Sequence, residues 1–361
     1  MRILVLNAGS STLKASLVEA GADAVASETV DWAPGDDDAT GVVRTALERL
    51  SPVADAVGYR VVHGGEDYRI ATRVDERLLE VVEALDALAP LHNHRAAAVI
   101  RAGVAALPGL AHVACFDTAF HASLPEEAWR YPLPHEWVER WGIRRFGFHG
   151  LSVTWAVRRA AELLERPSSD LRLVVAHLGS GSSVTAVDGG RSVDTSMGFT
   201  PYEGLMMGTR SGSVDPGILL HLLHGGISTD DLADGLAHRS GLLAVTGTDG
   251  AREIEERAAL GDTPAQLGLA MFARRAAAAI ASAATALPRL DGLVFTGGIG
   301  ENSAAIRGEI VGRLGALRVP GDLDVTDGDA VVAPGPPAIL VVRAREDCVI
   351  ADELAALLVE G

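Results

Sequence analysis

Residues 2–14 read RILVLNAGSSTLK, and this stretch decides the fold. Four β-forming residues, ILVL at 3–6, lead into a turn of small residues, and the chain alternates again from Thr12. The pattern predicts a buried strand, a tight turn and a second, antiparallel strand. Gly9 lacks a Cβ and the neighbouring hydroxyl groups can add donors, so the turn could hold an anion against the main chain. An ordinary serine-rich hairpin remains the alternative.

The charge of the chain restricts its ligands. The 361 residues are 48% hydrophobic and 22% charged, which is typical of a folded, soluble protein, and this length predicts two domains. A net charge of −17 argues against nucleic-acid binding, so arginines must be clustered locally to bind any anion.

Lys14 is the only lysine in the chain, which suggests that its position requires a slim, flexible ammonium group.

The cysteines and the apolar runs predict a cytoplasmic protein. Cys115 and Cys348 are too few for a disulfide framework or a zinc site. No uncharged apolar run is long enough to cross a membrane, and the N-terminus shows no signal-peptide pattern. We therefore expect no membrane partner and a reducing compartment.

The first part of the chain predicts a strand meander followed by α/β crossovers. Strands are predicted at 2–6, 12–17, 22–30, 54–62 and 112–116, with helices at 41–50, 76–88 and 94–107. This order resembles the ribonuclease-H-like core of sugar kinases, actins and large heat-shock chaperones.

A second copy of the pattern begins at residue 171. Residues 171–188, LRLVVAHLGSGSSVTAVD, repeat the strand, the Gly/Ser turn and the alternating strand; helices and a strand at 292–296 follow before the turn GGIGENS. The prediction is a duplicated ribonuclease-H-like, actin-like α/β fold with a nucleotide cleft between two domains. We expect domains at 1–147 and 148–346, with a C-terminal helix at 347–361 packing back on the first.

Two arginines lie in glycine-rich turns rather than on helix faces. Arg60 is in YRVVHGGE at 59–66, and Arg210 is in MMGTRSGSVDP at 206–216. A guanidinium matches carboxylate and phosphate oxygens with two parallel hydrogen bonds, so two such groups could hold two anions together.

Asp117 and His149 are further candidates. Asp117 ends an apolar strand at the edge where α/β folds bind ligands, although a helix N-cap is the alternative. His149 lies in FGFHG, between glycines and aromatic residues, and a hydrogen-bonded core histidine is its alternative.

These stretches together resemble the acetate kinase (acetokinase) family. Seven strings occur in the family's order between residues 7 and 303: NAGSSTLK, YRVVHGGE, CFDTAFH, FGFHG, DTSMGFTPYEG, MGTRSG and FTGGIGENS. The resemblance implies reversible transfer of a phosphoryl group from ATP to acetate, with Mg²⁺ (or Mn²⁺), by a homodimer. Positioning and electrostatic stabilisation are most of what such a transfer requires, and a carboxylate needs no general base.

The resemblance also implies roles for individual residues. The catalytic residues would be Arg60, Asp117, His149 and Arg210. The carboxylate and its methyl group would be bound by Arg60, Val62, Leu91, Phe148 and Pro201. The nucleotide and its phosphates would be bound by Asn7, Ser10, Lys14, His177, Gly179, Ser180, Gly181, Asp249, Arg252, Gly298, Ile299, Gly300 and Asn302. The metal would be positioned by Asn7, Asp117 and Glu346.

Several positions depart from the family pattern. The chain has Ser180 where the family usually has Asn, and Ser213 where it has Asp. Leu151 and Val153 replace the usual Thr and His, and Gly250 stands two residues before Arg252 where an acid is common, with Asp249 displaced by one. Two alternatives stay open: a propionate or butyrate kinase of the same family, and a catalytically weak, nucleotide-responsive binding protein on the same fold.

Overall fold

The structure is a computed structural model that describes the chain except residues 10, 23, 34, 37, 52, 90, 91, 322, 324, 325 and 361, with residue 360 described without its side chain. The strands are β1 Arg2–Ala8, β2 Thr12–Glu19, β3 Ala24–Asp31, β4 Ala56–Val61, β5 Thr72–Arg73, β6 Ala111–Phe116, β7 Arg172–Leu178, β8 Ser182–Asp188, β9 Arg191–Thr195, β10 Gly292–Thr296, β11 Ala330–Ala333 and β12 Ala338–Val341.

The helices are α1 Ala39–Leu50, α2 Glu76–Ala84, α3 Asn93–Ala106, α4 Glu126–Trp129, α5 His135–Trp141, α6 Gly150–Leu163, α7 Pro216–His224, α8 Thr229–His238, α9 Gly241–Thr246, α10 Ala251–Ala259, α11 Thr263–Ala284, α12 Gly297–Asn302, α13 Ala304–Gly312 and α14 Glu346–Glu360. Short 3₁₀ helices occupy Leu85–Leu88, Ala119–Ser123, Ser168–Asp170 and Gly315–Leu317.

The chain divides into two compact units. The first comprises residues 1–122, 148–155 and 345–361, and the second comprises residues 123–147 and 156–344. Each unit is built on one six-stranded mixed sheet.

The two sheets have the same topology. The first has the order β3-β2-β1-β4-β6-β5, in which β1, β2 and β3 form an antiparallel meander and β1, β4 and β6 run parallel. The second has the order β11-β12-β10-β7-β8-β9, in which β7, β8 and β9 form the meander and β7, β10 and β12 run parallel. The duplicated α/β fold predicted from the sequence is therefore confirmed.

Strand β1 shows how the first sheet is buried on both faces. Its alternate residues Leu4 and Leu6 pack in a cluster with α1 and α3, while Ile3 and Val5 pack in another cluster with α14. Successive side chains of a strand point to opposite faces, so a strand covered on both sides must be apolar throughout. Gly58 on β4 has no room for a Cβ against Ile350 of α14, which brings this helix close to the sheet.

The long helix α11 supplies much of the core of the second unit. Phe272, Ala276 and Ile280 are buried in one hydrophobic cluster with Val174 and Ala176 of β7 and with Leu293 and Phe295 of β10. Among the described residues this one helix is long and apolar enough to cross a membrane by length and composition, which a buried core helix also satisfies. Helix α11 contains Arg274 and Arg275. It is therefore not an uncharged apolar run, and the prediction that the sequence has no such run of membrane-spanning length still holds.

Some local structure differs from the sequence prediction. The GGIGENS segment, predicted as a turn, contains helix α12, whose first N–H, that of Gly297, is capped by the carboxylate of Glu301 (2.9 Å). Gly297 adopts a φ of +78°, which favours glycine and lets the chain turn sharply from β10 into the helix. The sequence reading also missed the short strands β5 and β11 and the helix α6.

Candidate functional site

A cluster of polar side chains lies at one edge of the first sheet. Asn7 is near the end of β1, Arg60 is near the end of β4, and Asp117 directly follows β6. The carboxyl ends of these parallel strands meet at the same edge, and Glu346, the first residue of α14, joins them there. All four residues are among the predicted site residues: the family resemblance implies a metal-binding role for Asn7, Asp117 and Glu346 and a carboxylate-binding role for Arg60.

Arg60 is the centre of this cluster. Its Nη2 lies 2.6 Å from Oδ2 of Asp117, and its Nε donates to both carboxylate oxygens at 3.2 Å. Its Nη1 lies 3.4 Å from Oε2 of Glu346 and donates to Oδ1 of Asn7 at 3.4 Å. The amide of Asn7 in turn donates to Oε2 of Glu346 at 3.2 Å. One guanidinium therefore holds three oxygen-bearing side chains together.

The charges of the cluster do not balance. Asp117 is fully buried, and burial raises its pKa to about 6, although the positive charge of Arg60 opposes the rise. Burial acts to lower the pKa of Arg60, but Asp117 and Glu346 outweigh it and hold that pKa above its usual range. Two carboxylates against one guanidinium leave excess negative charge when both acids are ionised, so the cluster favours a cation beside it.

The donor set fits a magnesium ion. Asn7, Asp117 and Glu346 offer amide and carboxylate oxygens, which are the hard ligands that Mg²⁺ prefers. In the described part of the chain no group of three or more His, Cys, Asp or Glu side chains is arranged to hold a metal. Mg²⁺ does not need such a cage, because it usually keeps waters and binds through one or two carboxylates together with substrate phosphates.

The FGFHG segment is fastened to the strand end that carries Asp117. The main-chain N–H of His149 donates to the Asp117 carboxylate, and the N–H of Gly150 donates to the Asp117 carbonyl at 2.9 Å. Gly150 leaves no room for a Cβ against that carbonyl and Phe120. His149 adopts a φ of +60°, a conformation that is uncommon for a residue with a side chain and often marks a functional position. His149 thus lies half-buried beside the predicted metal ligand.

The predicted acyl pocket is only partly described. Val62 and Phe148 are buried in the first unit, and the Phe148 ring meets the ring of His63 edge-on with centroids 5.3 Å apart. Leu91 lies outside the described residues. Pro201 is buried in the second unit.

Asn93 is a structural partner of this region that the sequence reading missed. Its side chain accepts from the His63 N–H at 3.1 Å and donates to the carbonyls of His63 (3.0 Å) and Val82 (3.2 Å). A fully buried amide with all of these bonds fixes the chain directly after Val62. The one sequence signal for Asn93 was its place as a polar residue at the start of an apolar helix. Polar residues at helix starts are more often exposed, so this signal did not indicate a buried role.

Arg210, the second arginine predicted to bind an anion, lies in the second unit. It is 8% exposed, its Nη1 donates to the carbonyl of Pro201 at 2.9 Å, and no carboxylate of the described chain forms an ion pair with it. Burial lowers its pKa to about 10, and the neighbouring Tyr202 opposes the change only partly. A buried cation without a counter-ion is unfavourable until an anion joins it, so Arg210 is suited to bind one.

The Gly/Ser turn after β7 lies beside the start of α12. His177 and Thr296 are register partners at the ends of parallel strands β7 and β10, so the segments that follow them are close. A Cβ on Gly179 would lie 3.6 Å from the N of Gly298 and 4.0 Å from Nε2 of His177. The structure therefore brings together His177, the turn and α12, as a phosphate-approaching loop requires.

Other predicted nucleotide residues are distributed around this turn. Ser180 accepts a hydrogen bond at its carbonyl from Gly208 at 3.1 Å, and a Cβ on Gly208 would lie 3.4 Å from Cβ of Asp249, so these three residues are neighbours. Gly181 is half-buried in the same turn. On α12, Ile299 and Gly300 are buried, and Asn302 donates to the carbonyl of Gly298 at 2.8 Å.

For three other residues predicted to bind the nucleotide or its phosphates, the structure gives less support. Arg252 is almost fully exposed and pairs with Glu256 on its own helix, at 3.1 Å. Lys14 is exposed on β2, directly across the ladder from Asn7. Ser10 lies outside the described residues.

Comparisons with known proteins identify the family of the chain. A family model described as the acetokinase family matches residues 40–352. The acetate kinase of Deinococcus radiodurans is 47% identical over 332 residues, which cover 89% of this chain and 83% of that protein. The acetate kinase of Pseudarthrobacter chlorophenolicus is 41% identical over 386 residues and all of both chains.

Solved structures agree with these matches. A crystal structure of Porphyromonas gingivalis acetate kinase superposes with a TM-score of 0.87 at 31% identity over 99% of both chains. A crystal structure of a propionate kinase from Francisella tularensis also has a TM-score of 0.87, at 34% identity over 98% of both chains. Sequence, fold and the strand-end residues therefore lead to one conclusion: the chain belongs to the acetokinase family.

Proposed function

We propose that this protein transfers the γ-phosphoryl group of ATP to acetate and catalyses the reverse reaction. The observation that carries the proposal is the group of Asn7, Arg60, Asp117 and Glu346, in which a half-buried arginine and oxygen ligands for a metal share one strand edge. The membership of the chain in the acetokinase family supports this activity.

Each side chain has a role that follows from its charge and setting. Acetate and ATP repel each other, and Arg60 and Arg210 offset the repulsion by binding the carboxylate and the migrating phosphoryl group. His149 donates a hydrogen bond to that group in the transition state. Because a carboxylate is already nucleophilic at neutral pH, Asp117 acts as a metal ligand rather than as a base.

Mg²⁺ is the metal of the proposal. When it is bound, it neutralises charge on the ATP phosphates. Asn7, Asp117 and Glu346 are the residues that would hold it, directly or through water, while Lys14, the turn at 179–181 and the start of α12 bind the nucleotide. Val62, Phe148 and Pro201 are the apolar residues that would contact the methyl group.

The decisive assay uses the purified full-length protein with ATP, Mg²⁺ and acetate, and traps acetyl phosphate with hydroxylamine. We expect turnover that requires acetate and Mg²⁺, and its loss in Arg210→Ala. ATP binding without acyl phosphate formation from any short carboxylate would contradict the proposal and favour a nucleotide-responsive binding protein.

Propionate is the second candidate substrate. The similarity to a propionate kinase over nearly the whole chain favours testing it, and one methylene group changes binding by only about 1–3 kcal/mol. If kcat/KM is higher for propionate than for acetate in the same assay, propionate is the preferred acceptor.

We assign the protein to the cytoplasm and to a homodimeric state. The chain has only two cysteines, Cys115 and Cys348, and both are buried, which fits a reducing compartment. Helix α7 has no buried residue and exposes Ile218, Leu220 and Leu223, an apolar surface that a second copy of the chain would cover. Sedimentation of the wild type and of Leu220→Asp tests this: we expect a dimer that the substitution weakens, and a monomeric wild type would refute it.

A further inference from the structure

The segment that carries Pro201 and Arg210 has no regular secondary structure. It extends from residue 196, after β9, to residue 215, before α7, without a helix or strand. Long irregular segments in compact units are usually mobile unless specific contacts hold them. Arg210 is nevertheless buried within it, so other side chains must fix its path.

Arg145 fixes the beginning of this segment. Its Nη1 donates to the carbonyls of Ser196 (3.2 Å) and Met197 (2.9 Å), its Nη2 to Oε1 of Glu203 (3.2 Å), and its Nε to the carbonyl of Ala128 (3.3 Å). Hydrogen bonds from a charged guanidinium are roughly twice as strong as neutral ones. Arg145 therefore joins residues 196 and 197 to residue 203.

Tyr131 closes the same part of the segment from the other side. Its hydroxyl donates to Oε2 of Glu203 and accepts from the N–H of Phe199 at 3.1 Å, and its ring lies 5.3 Å from the Arg145 guanidinium. Gly198 is buried at the centre, where a Cβ would collide with Tyr131 and Glu203. Burial raises the pKa of Tyr131, so the phenol keeps its proton at neutral pH.

The held part of the segment leads directly to the arginine. Pro201 lies between Phe199 and Glu203, both bound by these side chains, and the Pro201 carbonyl accepts the hydrogen bond from Nη1 of Arg210. We propose that Arg145, Tyr131 and Glu203 form a loop clamp that positions Arg210 through the Pro201 carbonyl. These are positioning residues, and the inference rests on the role proposed for Arg210 above.

The kinetic consequence follows from the geometry of catalysis. A displacement of about 1 Å in a group that orients the substrate can cost about 100-fold in rate. The loop clamp acts on the acceptor side of the reaction, so its loss should raise the KM for acetate and lower kcat while the KM for ATP stays nearly constant. A general loss of folded protein would instead lower the apparent kcat alone.

The variants are Tyr131→Phe, which removes only the hydroxyl, and Glu203→Gln, which keeps the shape but removes the charge. Glu126→Gln is the matched control, because Glu126 pairs with Arg130 close by in the chain and forms no hydrogen bond or ion pair with Arg145, Tyr131 or Glu203 among the described residues. We expect a loss of about 10- to 100-fold in kcat/KM for acetate in both clamp variants and wild-type kinetics in the control.

Hydrogen exchange of the full-length protein gives a readout that does not depend on activity. In Tyr131→Phe and Glu203→Gln, amides of residues 196–210 should exchange faster, while those of β7 and β8 should keep the wild-type rate. Unchanged exchange at 196–210, or an equal acceleration throughout the second unit, would overturn the loop clamp. A wild type that does not phosphorylate acetate would instead overturn the proposed function, and the exchange result would still decide the clamp.

Discussion

Two arginines, the half-buried Arg60 in the first unit and the buried Arg210 in the second, differ in what surrounds them. Arg60 is paired with two carboxylates, and its pKa is held above the usual range. Arg210 has one carbonyl contact, no ion pair among the described residues, and a pKa lowered to about 10 by burial. The same side chain thus organises acidic groups in one place and awaits an anion in the other.

The largest expected effect separates both arginines from ordinary surface residues. We expect Arg210→Ala and Arg60→Ala each to lower kcat/KM for acetate by about a thousandfold or more, since each removes a bidentate anion partner from a buried site. Arg210→Lys should recover little, because it keeps the charge and loses the planar fork. Steady-state kinetics with acetyl phosphate detection measures this, and near-normal turnover of Arg210→Ala would place the anion site elsewhere.

Stability should distinguish the two arginines. Arg60→Ala leaves Asp117 buried without its partner, which costs up to about 3–5 kcal/mol, reduced where Asp117 takes up a proton. Arg210→Ala removes a buried charge that has no ion-pair partner among the described residues, so we expect little loss of stability or a small gain. Urea unfolding of both variants without ligand measures the difference, and equal destabilisation would show that the two arginines do not differ in this way.

Replacing Asp117 tests whether the acidic cluster around Arg60 binds Mg²⁺. Asp117→Asn keeps the shape and leaves one carboxylate against the Arg60 guanidinium, so the excess negative charge disappears. We expect about 10- to 100-fold more Mg²⁺ to be needed for half-maximal rate, with ATP binding largely kept. Rates measured across an Mg²⁺ titration check this, with the exposed Asp67→Asn as a control; a wild type that needs no divalent ion would refute the metal role.

The smallest expected effect concerns the acyl pocket. Val62→Ala should make room for one more carbon, and burial of one methylene is worth about 0.8 kcal/mol, so the propionate-to-acetate ratio of kcat/KM should rise about fourfold. The change should lie mainly in KM, because the alkyl group is held alike in the ground and transition states. An unchanged ratio in parallel assays of both acids would remove Val62 from the pocket.

Several site residues could be predicted because their signal is local. Asp117 and Arg60 stand at the ends of apolar strands beside glycines, and parallel strands bring such positions to one edge. Arg145, Tyr131 and Glu203 gave no comparable signal, because an arginine, a tyrosine and a glutamate in irregular segments are usually on the surface. Their contacts span 58 and 72 residues of chain and exist only after folding.

The sequence by itself determined the longer strands, most of the glycine turns and the duplication, since side-chain alternation and turn preferences act over a few residues. The tertiary structure decided which charges meet: Asn7 and Glu346 are 339 residues apart yet share a hydrogen bond, and Arg210 forms no ion pair with a carboxylate in the described part of the chain. It also left Arg252 exposed and made a helix of the turn after β10. Burial and pKa depend on neighbours from distant parts of the chain, and local sequence does not specify those neighbours.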